Sequence, residues 1–344
     1  MARSTVYNDG LVTAEKWENV SKANKSLLKD FLDYLKATDK SPQTRYQYER
    51  QLKIFFCYLM EELDNKFFVD LKKKDLIKFS LWLQSDLGVS SARISTLRSC
   101  ISSLATYIEE VLDDEYPNFR NISSVIKITN REPVREKTIM SEEEMLNCLN
   151  TLVEQKKYQL ACYFALLVSS GMRKSEAIQM KVSYFTDKTK VLNGLFYFTP
   201  FIRTKGRGEK GKPLQKYIIV KTFQKYLDLW MNERKEKGIQ SEWLFVTYKD
   251  GNYVPAVIST VNSWATIIGK ITNLDYYNHS SRHFFTTYMK EQGFSDTEIQ
   301  SLVGWASLDM VRKYDDHTNE QQLAGAIDKF TRVFGEDEDG LENA

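Results

Sequence analysis

The chain has 344 residues, of which 42% are hydrophobic and 27% charged, the composition of a folded protein with about two domains. Its four cysteines are widely separated and show no paired spacing, which argues against a disulfide framework and a cysteine zinc site. The formal charge is +2, but five acidic residues lie in 335–344. Residues 1–335 therefore carry +7, and 335–344 are predicted to be an acidic tail.

The N-terminus lacks the apolar core of a signal peptide, and residues 1–20 are predicted to be a tail. The longest apolar runs, IFFCYLM and LACYFALLV, are much shorter than a membrane span. We therefore expect a cytoplasmic protein with no membrane partner.

Residues 21–112 are predicted to form a domain of four amphipathic helices. In the second helix, Ser41 suits the cap and Pro42 the first helical position, and apolar residues then recur at three- and four-residue steps. Several arginines lie on the polar faces, where a solvated surface is the simplest interpretation from the residues alone. They are Arg45, Arg50, Arg93 and Arg98.

Residues 113–138 contain two prolines and no sustained period, which predicts an interdomain linker. A second domain is predicted over 139–334, beginning with a helix capped by Ser141 and Glu144. The segment GLFYFTPFIRTKGRGEKGKPLQKYIIV places two aromatic or β-branched runs around a loop rich in Gly and Lys, which predicts a long β-hairpin. The remaining segments are predicted to be helical.

The segment NHSSRHFFTTYMKEQG contains two of the three histidines of the chain. His279 and His283 have the four-residue spacing of a helical zinc site, but the glutamate of a metalloprotease helix is absent and Arg282 adds a positive charge. We therefore predict no metal. His279 and Arg282, three residues apart on one helical face, can instead bind a phosphate.

Other segments carry residues suited to binding a phosphate. Arg173 follows a glycine at the predicted start of a helix, with Glu176 one turn later. Trp305 follows Gly304, and Tyr314 lies nine residues further on. The predicted hairpin carries many more positive than negative charges, as a DNA backbone contact requires. Its basic residues are Arg203, Lys205, Arg207, Lys210 and Lys212.

The order of these motifs resembles that of the tyrosine recombinase (phage integrase) family: an arginine, a hairpin lysine, histidine-x-x-arginine, a histidine or tryptophan, and a tyrosine. HSSRH, GMRKSE and VGW…KYD carry the resemblance. The motifs HSxR and RTK, together with tryptophan at 305, resemble those of the Cre-type simple recombinases. The resemblance implies a mainly α fold, with a helical (SAM-like) core-binding domain and a mixed α+β catalytic domain that has a small antiparallel sheet.

The resemblance also implies roles. Tyr314 would be the nucleophile that forms a 3′-phosphotyrosyl bond, while Arg173 and Arg282 would bind the non-bridging oxygens. Lys205 would be the general acid, although Lys210 and Lys212 remain alternatives. The remaining site residues would assist proton movement, orient the tyrosine or support the arginines. They are His279, Trp305, Glu176 and His283.

No cofactor is expected. The implied partner is duplex DNA with inverted-repeat core sites, contacted by the basic residues named above, and accessory proteins are compatible with this. The last predicted helix, 320–334, carries an apolar face that packing within the same chain would cover; the resemblance implies instead that it docks on a neighbouring protomer and assembles a tetramer. Two alternatives remain open: a type IB topoisomerase or telomere resolvase, and a DNA-binding regulator with an inactive recombinase fold.

Overall fold

The computed structural model describes residues 10–127, 140–204 and 211–315. The described chain divides into two units: the first contains 10–127, and the second contains 140–204 and 212–315. In these ranges no helix is both long enough and apolar enough to cross a membrane.

The first unit is built from helices, as predicted. Ser41 accepts a hydrogen bond from the Thr44 backbone N–H, and Pro42 occupies the first position of the second long helix. The segment Trp82–Asp86 continues the fourth helix as one π-helical turn, with Leu83 buried. The α-helices are α1 (Ala14–Asn19), α2 (Lys22–Ala37), α3 (Pro42–Glu62), α4 (Lys73–Leu81) and α5 (Ser91–Val111).

An aromatic core holds these helices together. Phe55 and Phe79 are fully buried, with ring centroids 4.7 Å apart in an edge-to-face arrangement. This core extends beyond the domain boundaries expected from the sequence. Helix α1 lies in the predicted tail 1–20, and Ile126 of the predicted linker is buried in the core because both segments carry apolar side chains.

In the second unit, apolar helix α7 lies at the centre, with all side chains from Leu160 to Val168 buried. Helices α6, α9 and α11 pack against it. The predicted cap of Ser141 and Glu144 is present at the start of α6. The α-helices of this unit are α6 (Glu142–Glu154), α7 (Tyr158–Val168), α8 (Lys174–Ala177), α9 (Val220–Glu236), α10 (Ile258–Thr272), α11 (Ser280–Glu291), α12 (Asp296–Val303) and α13 (Asp309–Tyr314).

Short antiparallel strands complete the second unit. They are β1 (Lys190–Val191), β2 (Phe196–Phe198), β3 (Ile202–Thr204), β4 (Lys212–Leu214), β5 (Tyr217–Ile219), β6 (Val246–Lys249) and β7 (Asn252–Pro255). The sheet order is β1-β2-β5, and β3 with β4 and β6 with β7 form separate pairs. The prediction of helices with a small antiparallel sheet is thus confirmed.

The predicted long hairpin is present as two consecutive ladders, β2 with β5 and β3 with β4. The ladders are joined by a hydrogen-bonded pair outside the strands. The Thr199 N–H donates to the Lys216 carbonyl at 3.0 Å, and the Lys216 N–H donates to Thr199 Oγ1 at 2.9 Å. Pro200 follows without an N–H to donate, so the sheet is interrupted there. This pairing holds Lys216 where the hairpin meets the core.

Candidate active site

Arg173 is placed by a sharp turn at the end of α7. Gly171 has φ +58°, and a Cβ at this position would lie 2.8 Å from Cδ1 of Phe285, so glycine is required both for conformation and for space. Arg173 then occupies the N-cap of α8. Its backbone N–H donates to Glu176 Oε2 at 2.9 Å, and its Nη1 donates to Glu176 Oε1 at 2.9 Å.

Arg282 lies in the first turn of α11, and a buried polar link fixes the start of that helix. Asn278 accepts a hydrogen bond from the Tyr163 hydroxyl at 2.8 Å and donates to the Val261 carbonyl at 3.2 Å. This ties the segment that leads into α11 to both α7 and α10. His279 is the N-cap residue, so His279 and Arg282 project from the same end of the helix.

The Arg282 guanidinium is buried, and Glu176 and the Tyr314 side chain both favour its charged form, but none of its three nitrogens makes a hydrogen bond of good geometry to a described residue. Its Nη2 lies 3.5 Å from Glu176 Oε2, close enough for ionic attraction. Burial, followed by the nearby charge of Arg173, lowers the pKa of Arg282 to about 10, while Glu176 and Tyr314 oppose this shift. Arg282 therefore stays charged at neutral pH, with donors available to an anion.

Lys216 joins this group, and the sequence analysis did not identify it. Its side chain is buried, with Nζ 3.3 Å from Glu176 Oε2 and donating to the Val303 carbonyl at 2.8 Å. We call Arg173, Glu176, Lys216 and Arg282 the cation cluster. Burial would raise the pKa of Glu176, but Lys216, Arg282 and Arg173 more than offset it and lower that pKa.

Tyr314 lies beside this cluster within the same chain. Helix α12 ends at Gly304, whose φ of +74° turns the chain so that Trp305 stacks on Tyr314, with ring centroids 5.2 Å apart and planes at 17°. The Arg282 guanidinium carbon is 5.7 Å from the Tyr314 ring centroid, and His283 contacts the same ring edge-on at 4.9 Å. The nucleophile candidate is thus buried among these side chains.

His279 lies at the edge of the same space, 6.3 Å from Tyr314 between ring centroids. Burial lowers the pKa of His279 to about 4, and the positive charges of Arg282 and Arg173 add to the effect. At neutral pH the imidazole is therefore uncharged and able both to donate and to accept a hydrogen bond.

The residue following Tyr314 is also fixed. Lys290 of α11 makes ion pairs with Asp315 at 2.8 Å and with Asp296 at 2.7 Å, and the Asp315 side chain is nearly inaccessible. The sequence analysis missed this contact because the three residues show no common spacing. It attaches the end of α13 to α11, the helix that carries Arg282.

The structure thus brings together seven of the predicted site residues: Arg173, Glu176, His279, Arg282, His283, Trp305 and Tyr314. Lys205, Arg207 and Lys210 lie outside the described residues. Arg203 and Lys212 are exposed on β3 and β4. The remaining predicted DNA contacts lie half-buried on α3 and α5 of the first unit, and they are Arg45, Arg50, Arg93 and Arg98.

Among the described residues, no group of His, Cys, Asp and Glu is arranged to hold a metal ion. All four cysteines are buried and unpaired. Arg98 and Lys40 line a cavity of about 500 Å³ in the first unit, together with hydroxyl-bearing and aromatic side chains.

Comparison with known proteins identifies the family. The phage integrase family profile matches residues 138–321, and the profile of the phage integrase N-terminal SAM-like domain matches 27–118. The SPbeta prophage-derived recombinase-like protein YomM of Bacillus subtilis is 31% identical over 268 residues, covering 77% of this chain and 76% of that protein. Tyrosine recombinase XerD of Staphylococcus haemolyticus is 21% identical, covering 89% of this chain and 98% of that protein.

Solved structures share the fold. XerH site-specific recombinase bound to its palindromic difH substrate has a TM-score of 0.60 at 19% identity, covering 85% of this chain and 80% of that one. The Tn1549 transposon integrase with circular intermediate DNA has a TM-score of 0.61 at 17% identity, covering 89% and 99%. The fold and both domain matches agree with the prediction from the motifs. The chain therefore belongs to the phage integrase family, that of the tyrosine recombinases.

Proposed function

We propose that this chain is a site-specific recombinase that cleaves and rejoins duplex DNA through a covalent bond to Tyr314. One observation carries the proposal. Arg282 has buried N–H donors that make no hydrogen bond of good geometry to the described residues, it lies against the ring of Tyr314, and Glu176 links it to Arg173 within the same chain. A buried cation whose donors can turn to an anion, with an adjacent phenol, is the arrangement that attack on a phosphate requires.

The electrostatics favour an anionic substrate. The cation cluster contains three positive side chains and one carboxylate, and the nearby His279 is neutral. An excess of buried positive charge is costly without an anion. A DNA phosphate supplies this charge, and the extra negative charge of a pentacoordinate transition state is stabilised even more strongly.

The proposed reaction balances without an external energy source. The Tyr314 hydroxyl oxygen attacks phosphorus, a phosphotyrosyl bond forms at the 3′ end, and the bond to the 5′ oxygen breaks. Arg173 and Arg282 bind the non-bridging oxygens. A proton passes to the leaving 5′ oxygen, a role we assign to Lys205, with Lys210 and Lys212 as alternatives. A 5′-hydroxyl then attacks the phosphotyrosyl bond and regenerates the tyrosine.

The side chains around Tyr314 have supporting roles in this proposal. Trp305 stacks on the phenol and fixes its plane, since an indole can donate a hydrogen bond but cannot accept a proton. His279 is uncharged at neutral pH, and we assign to it a hydrogen bond that assists proton movement at the phenol or holds the phosphate. His283 contacts the ring edge-on, and Glu176 orients Arg173.

We further propose that the enzyme acts on inverted-repeat core sites as a homotetramer. The phosphate contacts assigned to the first unit are Arg45, Arg50, Arg93 and Arg98, and those assigned to the hairpin are Arg203, Arg207, Lys210 and Lys212. Segment 320–334, which lies outside the described residues, is assigned to docking on a neighbouring protomer because its apolar residues recur at helical spacing. Such activity is expected in the cytoplasm.

The test is to incubate the full chain with a randomised duplex library, denature it, and sequence the DNA that remains covalently attached. The recovered site is then rebuilt with a nick beside the cut, so that the short fragment diffuses away and the adduct accumulates. We expect an adduct with wild type and none with Tyr314→Phe. Relaxation of supercoils without strand exchange between two sites would favour a topoisomerase, and binding without any adduct would favour a regulator.

A further inference from the structure

Lys216 is the one member of the cation cluster to which the preceding mechanism gives no role. Its Nζ reaches two acceptors, Glu176 Oε2 at 3.3 Å and the Val303 carbonyl at 2.8 Å, and its side chain is almost fully buried. Two hydrogen bonds to Thr199 fix the Lys216 backbone, one from the Lys216 N–H to the Thr199 hydroxyl and one to the Lys216 carbonyl from the Thr199 N–H. Burying a lysine costs free energy, so the contacts around Lys216 have to offset that cost.

Lys216 and Arg282 approach the same carboxylate oxygen. Glu176 Oε2 accepts the Arg173 backbone N–H at 2.9 Å and has Lys216 Nζ at 3.3 Å, whereas Arg282 Nη2 stays at 3.5 Å without a hydrogen bond. Charged donors compete for one acceptor according to distance and geometry. Lys216 therefore shares Glu176 Oε2 with Arg282, whose ion pair to that oxygen stays at 3.5 Å and does not close into a hydrogen bond.

We propose that Lys216 is a positioning residue that occupies Glu176 Oε2 and thereby leaves the Arg282 guanidinium free for the scissile phosphate. Without the lysine, Arg282 moves onto Glu176, because a buried carboxylate and a buried guanidinium 3.5 Å apart attract strongly. The N–H donors of the Arg282 guanidinium then point toward Glu176 rather than toward the DNA phosphate. This inference rests on the proposed function, since it concerns the same phosphate.

The test substitution is Lys216→Met, which keeps the length of the side chain and removes its charge. Lys66→Met is the matched control, because Lys66 Nζ also pairs with a buried carboxylate, Asp75, at 2.8 Å but lies outside the cation cluster. Each substitution removes a lysine that pairs with a buried carboxylate. Thermal unfolding and DNA affinity are measured for each, so that an effect of folding is separated from an effect on the reaction.

The decisive readout combines the variant with a change in the substrate. A methylphosphonate at the cut position replaces one charged non-bridging oxygen by a methyl group, and it is expected to slow adduct formation by wild type by roughly 100-fold. We expect Lys216→Met to slow the reaction of normal DNA about 10-fold or more, and to reduce the methylphosphonate penalty about 10-fold. Lys66→Met should keep the full penalty.

The outcomes separate the two hypotheses. If wild type forms an adduct and Lys216→Met shows the wild-type methylphosphonate penalty, Lys216 has only a structural role and the inference is wrong. If Lys216→Met cleaves normal DNA at the wild-type rate, the inference is also wrong. If wild type itself forms no adduct at a site that it binds, the proposed function is wrong, and the role proposed for Lys216 is then wrong as well.

Discussion

Replacing Glu176 with glutamine should destabilise the second unit strongly. The Glu176 side chain is fully buried and contacts Arg173 at 2.9 Å, Lys216 at 3.3 Å and Arg282 at 3.5 Å. Glutamine keeps the shape and one carbonyl acceptor but removes the only negative charge among the described members of this cluster. Breaking a buried ion pair on one side costs about 3–5 kcal/mol, and the lower figure applies because Arg173 retains an acceptor.

The assay is thermal unfolding of the full chain followed by circular dichroism. For a domain of this size, a loss of about 3 kcal/mol lowers the unfolding temperature by roughly 6–12 °C. Inorganic phosphate should raise the unfolding temperature of Glu176→Gln more than that of wild type, because the uncompensated cations bind an anion more tightly. This second measurement distinguishes a charge effect from a general packing defect.

Glu242→Gln provides the matched control. Glu242 pairs with Lys181 at 2.9 Å, the distance found between Glu176 and Arg173, but its side chain is 62% exposed. Solvent screens such a pair, so this variant should unfold near the wild-type temperature. If the two variants unfold within about 2 °C of each other, burial of Glu176 does not have the electrostatic consequence argued above.

Three further predictions follow from single contacts. His279, with a pKa of about 4 against an ordinary 6.5, should titrate near pH 4 by NMR. The free energy of unfolding should fall as pH is lowered from 6.5 to 4, because the unfolded chain binds the proton first. Titration of His279 near pH 6.5 would contradict the burial argument. Gly171→Ala should destabilise the chain by about 1–3 kcal/mol more than Gly238→Ala in urea unfolding. Both glycines have positive φ, but only Gly171 would place a Cβ against Phe285. Equal losses of stability in the two variants would exclude the steric cause. Trp305→Ala should cost about 3 kcal/mol in the same assay, since a buried stacked ring is removed, and a loss below about 1 kcal/mol would show that its packing contributes little.

The sequence was sufficient to predict the parts that depend on local patterns. Helices α2 to α5 follow from apolar residues at three- and four-residue steps, and the cap at Ser141 follows from its capping box. Family membership followed from the order of motifs around Arg173, Arg282 and Tyr314. These motifs identify residue types, but the spacing along the chain does not give the distance between side chains.

Contacts between distant segments escaped prediction. Lys216 is buried next to an interruption of the strands at Thr199, whose N–H and hydroxyl both bond to the Lys216 backbone, and no period in the sequence reveals that register. Among five basic residues in the predicted hairpin, composition favoured solvent or DNA contacts, so a buried lysine just beyond them was overlooked. The ion pair between Lys290 and Asp315 likewise joins helices that are separated in the chain.

Another difference concerns the domain ends. The predicted tail 1–20 contains α1, and part of the predicted linker 113–138 packs on the first core through Ile126. Proline and charged residues signalled a break in helical periodicity, but a few apolar side chains are enough to attach an irregular segment to a core. A break in periodicity therefore indicates where a helix ends, but it does not indicate where the folded unit ends.

One chain is expected to supply both the cations and the nucleophile for each phosphate, and this can be examined by mixing two inactive variants. Tyr314→Phe retains Arg282, and Arg282→Ala retains Tyr314, so neither chain alone should form an adduct on the nicked site. Because both side chains meet within one unit, the mixture should remain inactive while wild type reacts. Adduct formation in the mixture would mean that the tyrosine acts on a phosphate held by another chain, contradicting the site described above.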